Sequence, residues 1–310
     1  MSRAQETSRP DGATRQDLYS TITNHILADL AQGVTPWTKP WTAGHGAGPV
    51  SRPLRHTLEP YSGINTLVLW GTAVERGYAA PIWMTFQQAL SLGGAVRKGE
   101  KGTTVVYANR VTRQETNDKG EDVERSIPFL KAYTVFNVEQ VAGLPERFTA
   151  VPAILPESER IARAEAFLDA VGAQVVHGGD MACYEPAADR IRLPAFGAFA
   201  SAHDYYATRG HETVHWTRHP TRLDRDFGRV RFGDAGYARE ELVAELGAAF
   251  LCAELGVDLR PRADHAAYIG SWLEVLSGDK RAIFSAAAHA QKAVDFLKEL
   301  AGETPLATAG

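Results

Sequence analysis

The chain has 310 residues, 44% of them apolar, and a formal net charge of −4, a size that predicts two cores and a balance that gives no sign of a nucleic-acid partner. Its two cysteines, Cys183 and Cys252, exclude a disulfide framework and lack the spacing of a cysteine zinc site, so both are expected to be buried thiols in a reducing compartment. No run of 18 apolar residues offers a membrane span, and the polar N-terminus (residues 1–16) lacks the apolar stretch of a signal peptide, which together predict a cytoplasmic protein. Divided at residue 150, the charges separate. The first part holds 16 Lys/Arg against 14 Asp/Glu, and the remainder 17 against 23.

Residues 1–15 are expected to be disordered. An amphipathic helix follows over about 16–32, with Leu18, Ile22, Ile26 and Leu30 spaced by four. Gly33 ends it, and Pro36 opens a proline-tryptophan segment containing Trp37 and Trp41. A second helix is predicted over about 63–76, and a third from Thr85, a fitting N-cap, to Leu92. The β-branched and aromatic runs 105–112 and 129–138 flank Asn117-Asp118-Lys119-Gly120, which reads as an antiparallel hairpin with a long loop. Three prolines between Gly143 and Pro156 read as a linker. Beyond it come a helix over about 157–171 and short strands near 174–177, 181–185 and 190–193. Helices are predicted over about 203–218, 237–255, 262–277 and 279–299.

The helix over 203–218 carries His211-Glu212-Thr213-Val214-His215. Residues four apart share one helix face, so the two imidazoles can grip a single Zn²⁺ from one side. Glu212 is placed to take a proton from a water at the ion's open position. His219 is a poor third ligand, lying two turns on and directly before Pro220, and Thr221 stands where another zinc pattern has its third histidine. Glu241 and Glu245, one turn apart, share a face with Ala248, Ala249 and Cys252, so both carboxylates are expected to point inward. Glu241 is read as the third ligand and Glu245 as a carboxylate orienting one histidine. Glu240 suits the solvent face. His177, His203, His265 and His289 lack ligand spacing.

Tyr205-Tyr206-Ala207-Thr208, HETVHWTRHPTRLDR (211–225) and FGDAGYAREELVAELGAAFLCAELG (232–256) resemble the zincin-type metallopeptidase domain of ArdC-like antirestriction proteins. PWTKPW (36–41), YSGIN (61–65), WMTFQQALSLGGAVRKGEKGT (83–103) and YTVFNVEQVAGLP (133–145) resemble that family's single-stranded DNA-binding domain, which also occurs in primase-associated plasmid proteins. The resemblance runs from about Leu18 to Leu297. One departure is Arg209-Gly210 before His211, where bulky apolar residues usually pack, so tight packing of this helix is in question.

The resemblance implies an α+β protein of two domains, a single-stranded DNA-binding domain over 16–145 and a zincin-like metallopeptidase domain over 157–310, joined by a linker over 146–156. DNA contacts fall to the basic loop Arg97, Lys98 and Lys101, and to Trp37, Trp41 and Tyr61 as surfaces for base stacking. The implied cofactor is Zn²⁺, with another divalent ion such as Mn²⁺ an alternative. Tyr237 is a candidate to steady an oxyanion, on nearness in sequence alone. The implied function is protection of incoming plasmid or mobile-element DNA from host restriction, with single-stranded DNA and a host restriction enzyme or other protein substrate as partners, and no membrane. Two rival readings are a non-catalytic DNA-binding protein with structural zinc, and a metallopeptidase that cleaves a transcriptional repressor.

Overall fold

In the computed structural model the described residues are 11–35, 37, 51–116, 122–148, 156–228, 234–259 and 265–303. The first helix, α1 (Asp11–Ala31), begins five residues before the predicted start. Its opening residues, Asp-Gly-Ala-Thr-Arg-Gln, carry no apolar period that would reveal a helix. Ile22, Ile26 and Leu30 are buried as their spacing requires. Trp41 lies outside the described residues.

A four-stranded sheet in the order β1-β2-β5-β4 follows, built from β1 (Leu54–Arg55), β2 (Ile82–Thr85), β4 (Thr103–Thr116) and β5 (Asp122–Asn137). Strands β4 and β5 pair from Thr103↔Val135 out to Thr116↔Asp122, well past the predicted ends. The outer arm alternates charged and polar residues, so no apolar pattern marks it. Helix α2 (Ile64–Arg76) packs on both sides. Leu69 and Ala73 join Trp83, Val105 and Val135 on one face of the sheet, while Ile64, Leu67 and Trp70 turn away from it. Helix α3 (Phe86–Ser91) starts at Thr85 with a capping box, in which Thr85 accepts from the Gln88 N–H and Gln88 accepts from the Thr85 N–H. Strands β3 (Ala95–Val96) and β6 (Val141–Ala142) form a separate pair. The predicted linker is partly structured: a 3₁₀ turn over Glu146–Phe148 buries Phe148 against Ile82 and Met84.

The C-terminal half begins with α4 (Glu157–Ala170) and a three-stranded sheet ordered β7-β9-β8. The strands are β7 (Val175–His177), β8 (Cys183–Glu185) and β9 (Arg190–Leu193). Four helices complete it: α5 (Ala202–Trp216), α6 (Ala235–Leu255), α7 (His265–Gly278) and α8 (Ala282–Leu300). Helix α6 is buried along nearly its whole circumference, as expected of a helix with small and apolar residues on every side. Among the described residues no helix is long and apolar enough to cross a membrane.

The expectation of two separate cores needs correction. One continuous apolar cluster contains Ile22, Ile26, Leu30, Ile64, Leu67 and Trp70 together with the buried faces of α5, α6, α7 and α8. Trp70 packs 5.9 Å from Phe250, and the Thr23 hydroxyl donates to the Lys280 carbonyl at 2.7 Å. The apolar stripes of α1 and α2 find their partners in the other half of the chain. A further tie is Arg52, buried over the Phe250 ring and donating to both Tyr61 O and Gln291 Oε1. Two smaller clusters lie on opposite faces of the four-stranded sheet.

Candidate functional site

Ser201 caps α5 by accepting from the Asp204 N–H, and Asp234 caps α6 by accepting from the Tyr237 N–H. The two helices then pack very closely. A Cβ added at Gly247 would lie 2.8 Å from one methyl of Val214 and 2.9 Å from the other, so only glycine permits this approach. The expected weak packing around Arg209-Gly210 is not found. Gly210 is buried with ordinary room towards Leu251, and the Arg209 guanidinium reaches out to Asp169 at 2.7 Å.

His211 and His215 lie one turn apart with ring centroids 4.8 Å from each other. Across the helix pair, Glu241 offers Oε2 3.6 Å from His211 Nε2 and Oε1 3.4 Å from His215 Nε2. Ligands about 2.0–2.1 Å from a tetrahedral ion are themselves separated by roughly 3.4 Å, so the two nitrogens and the carboxylate are spaced to hold one. All three residues are buried, and their donor atoms lie within 4.8 Å of one another. Burial opposes charging of His215, but the Glu241 and Glu240 carboxylates outweigh it and raise the pKa to about 10. Burial likewise opposes ionisation of Glu241, yet the two histidines hold its carboxyl far below the usual range. The carboxylates thus favour positive charge at this point, and a divalent cation would take the place of the proton that His215 must release to become a ligand.

Glu212 is buried and faces the small sheet, where burial and then the Glu212 charge push the Cys183 thiol up. Glu245 brings Oε1 to 3.3 Å from His211 Nδ1, although that nitrogen makes no hydrogen bond of acceptable angle. Tyr237 is directed at the same cluster. Its hydroxyl lies 3.1 Å from that of Tyr268, and burial, this hydrogen bond and the Glu241 charge all push the phenol well above its usual range. His219 is half-buried beyond the end of α5, with Nδ1 2.8 Å from the Thr221 hydroxyl.

Glu240 is the residue that sequence reasoning misplaced. It is 1% exposed, and its Oε1 lies 3.1 Å from His215 Nδ1. Arg225, itself buried, grips this carboxylate with two hydrogen bonds: Nη2 to Oε1 at 2.7 Å and Nε to Oε2 at 2.8 Å. Arg225 also donates to Val214 O at 3.0 Å and to the Thr217 hydroxyl at 3.1 Å, tying it to the end of α5. Burial disfavours the Glu240 carboxylate, but Arg225 and His215 hold its pKa down at about 2. Arg225, just before α6, was the available signal, because a buried carboxylate needs a cationic partner.

In the N-terminal half, Arg97, Lys98 and Lys101 lie on an exposed loop, with Gly99 in the left-handed region at φ 90°. Arg97 shares its charge with Glu100, 3.0 Å away. The stacking roles expected of Trp37 and Tyr61 do not fit. Trp37 is 3% exposed and packs edge-on against Trp272, 5.7 Å between rings, while Tyr61 is 3% exposed and belongs to the sheet core. Neither presents a free face for a base. Phe86 is instead 46% exposed, edge-on to Phe136, the ring against which Gly102 of the basic loop packs.

Residues 16–136 match the model of the N-terminal domain of anti-restriction factor ArdC, and residues 162–289 match that of a zincin-like metallopeptidase. The protein y4eC of Sinorhizobium fredii is 41% identical, the alignment covering 92% of each chain. DNA primase TraC of Escherichia coli is 39% identical over 91% of this chain, which spans only 27% of TraC's length. The metal-free crystal structure of the ArdC antirestriction protein from plasmid R388 is 44% identical with a TM-score of 0.77, covering 93% of this chain and 99% of that one. Its Mn(II)-bound structure is 43% identical with a TM-score of 0.76, covering 93% and 100%. A divalent-metal centre thus accords with both the donor set and a solved relative. With both halves matched in order and a solved relative aligned along almost its entire length, this two-domain α+β chain belongs to the ArdC-like antirestriction family.

Proposed function

We propose that this protein binds single-stranded DNA through its N-terminal half and hydrolyses peptide bonds at the metal centre, protecting entering plasmid or mobile-element DNA from host restriction. The observation that carries the catalytic part is the convergence of His211, His215 and Glu241 with Glu212 directly beside them. When bound, a divalent ion supplies Lewis acidity and lowers the pKa of a water molecule. Zn²⁺ is the ion proposed, since it outcompetes Mn²⁺ at such a site on intrinsic affinity, though the Mn(II)-bound relative makes Mn²⁺ the alternative. Glu212 then takes the water's proton and returns it to the leaving amine. Strand β8, at the edge of its sheet on the Glu212 side, offers backbone groups along which an extended peptide can align. Tyr237 is assigned to Glu241 and the oxyanion side of the site, and Glu245 to His211.

A purely structural ion would leave a buried general base with nothing to do, which favours the catalytic reading over a passive DNA coat. The DNA part rests on the exposed basic loop and on the family's N-terminal domain. On this reading the protein works in the cytoplasm, where restriction enzymes meet entering DNA. The test is incubation of metal-loaded wild type and Glu212→Gln with candidate restriction enzymes, with and without single-stranded DNA. Mass spectrometry is expected to find new termini with wild type alone. Equal fragmentation by both proteins, or none by either, would remove the peptidase assignment.

A further inference from the structure

The β1 end of the four-stranded sheet has a polar cleft of about 260 Å³ whose lining includes Arg55, His56, Glu59, Tyr61, Gln88 and Tyr133. Its rim is a tight turn: the Arg55 N–H donates to Glu59 O and the Leu58 N–H to Arg55 O, which forces exposed Leu58 into the left-handed region at φ 69°. Tyr61 forms the buried floor, and half-buried Tyr133 on β5 lines the cleft beside it. The Arg55 guanidinium lies over the Tyr61 ring, 5.5 Å from its centre. Arg55 is half exposed and only loosely paired with Glu59, at 3.8 Å, and its Nε has no hydrogen-bond partner. A half-exposed planar cation, an imidazole, an accessible aromatic ring and a side-chain amide thus meet in a hollow too small for a folded ligand.

The cleft is also close to the basic loop. Val135 of β5 pairs with Thr85 on one side and Thr103 on the other, and Tyr133 lies two residues along the same face. Thr103 directly follows the loop that carries Arg97, Lys98 and Lys101. From the cleft to the loop is therefore about two strand spacings, roughly 10 Å, or about three nucleotides at a stacked rise of ~3.4 Å.

We infer that this cleft is a subsite for one nucleotide of a single strand, with the base against Tyr133 and the phosphate on Arg55, an inference that rests on the single-strand reading above. The strand then continues to the basic loop. Glu59 competes with the phosphate for Arg55, so it should weaken binding, and a merely structural role for Arg55 gives no reason for that effect.

The test uses the full-length protein and a fluorescein-labelled oligothymidylate, followed by anisotropy at low salt. Arg55→Gln is expected to weaken binding by about tenfold, the value of one lost charge-assisted contact. Glu59→Gln is expected to tighten it by about two- to fivefold. Thermal melts accompany each variant, and both side chains are exposed enough that the fold should hold. Irradiation of a bromouracil-substituted oligonucleotide is expected to cross-link Tyr133, located by mass spectrometry. If wild type binds while Arg55→Gln or Glu59→Gln leaves Kd unchanged, or the cross-links fall only on the basic loop, the cleft is overturned and the single-strand reading stands. If wild type binds no single-stranded DNA, both fall.

Discussion

Zinc-loaded wild type, dialysed against metal-free buffer, is expected to retain about one equivalent of Zn²⁺, whereas His211→Ala and Glu241→Ala lose most of theirs. The reason is geometric. Each of the three donors is held 3.4–3.6 Å from a neighbouring one by two helices in tight contact, and removing any donor leaves too few to hold an ion. The loss should exceed the ~10–100-fold that follows removal of a supporting residue. Glu212→Gln is expected to keep its metal, because Glu212 lies outside the converging donor set. Elemental analysis by mass spectrometry reads all four proteins. Full retention by Glu241→Ala would move the third ligand to Glu245, the next carboxylate on α6.

Arg225→Ala is expected to be among the most damaging single changes to stability, at about 3–5 kcal/mol, because it strands a buried carboxylate. Glu240 is 1% exposed, and its compensation comes from Arg225 and His215. The same change removes the Arg225 hydrogen bonds to Val214 O and Thr217, which fix the end of the metal-binding helix. Metal affinity should therefore fall together with stability. Adding Glu240→Gln to Arg225→Ala is expected to restore part of the stability, since a neutral amide costs less to bury than a carboxylate. Chemical denaturation of the three metal-free proteins measures this. A double variant no more stable than Arg225→Ala alone would show that packing, and not the charge pair, sets the loss.

Much of this molecule could be read locally. His211, His215 and Glu241 follow helical spacing, Thr85 caps α3 where its side chain predicts, and Ile22, Ile26 and Leu30 are buried at their expected period. What could not be read is where those faces find partners. The stripes of α1 and α2 pack into the C-terminal half, so the chain has a shared core where its length predicted two. Trp37 stands in turn-rich sequence, which points to a surface ring, yet its partner Trp272 is on α7, far along the chain. The glutamate-rich start of α6 points Glu240 to solvent, yet that helix is buried along nearly its whole circumference. The shared core has a practical consequence. Cutting the chain near residue 150 would expose the apolar faces of α1 and α2, so binding experiments belong on the intact protein.

The most direct measurement of the proposed function is transfer of an unmodified plasmid into a restricting recipient and into its non-restricting counterpart. Each donor supplies wild type, Glu212→Gln or Lys98→Ala/Lys101→Ala. Wild type is expected to raise transfer in the restricting recipient alone, and Glu212→Gln to lose that gain while expressing and loading metal normally. The basic-loop variant should lose part of it through weaker attachment to the entering strand. Protection by Glu212→Gln equal to that of wild type would contradict the account, because coating of DNA would then suffice and the metal centre would have no catalytic part in it.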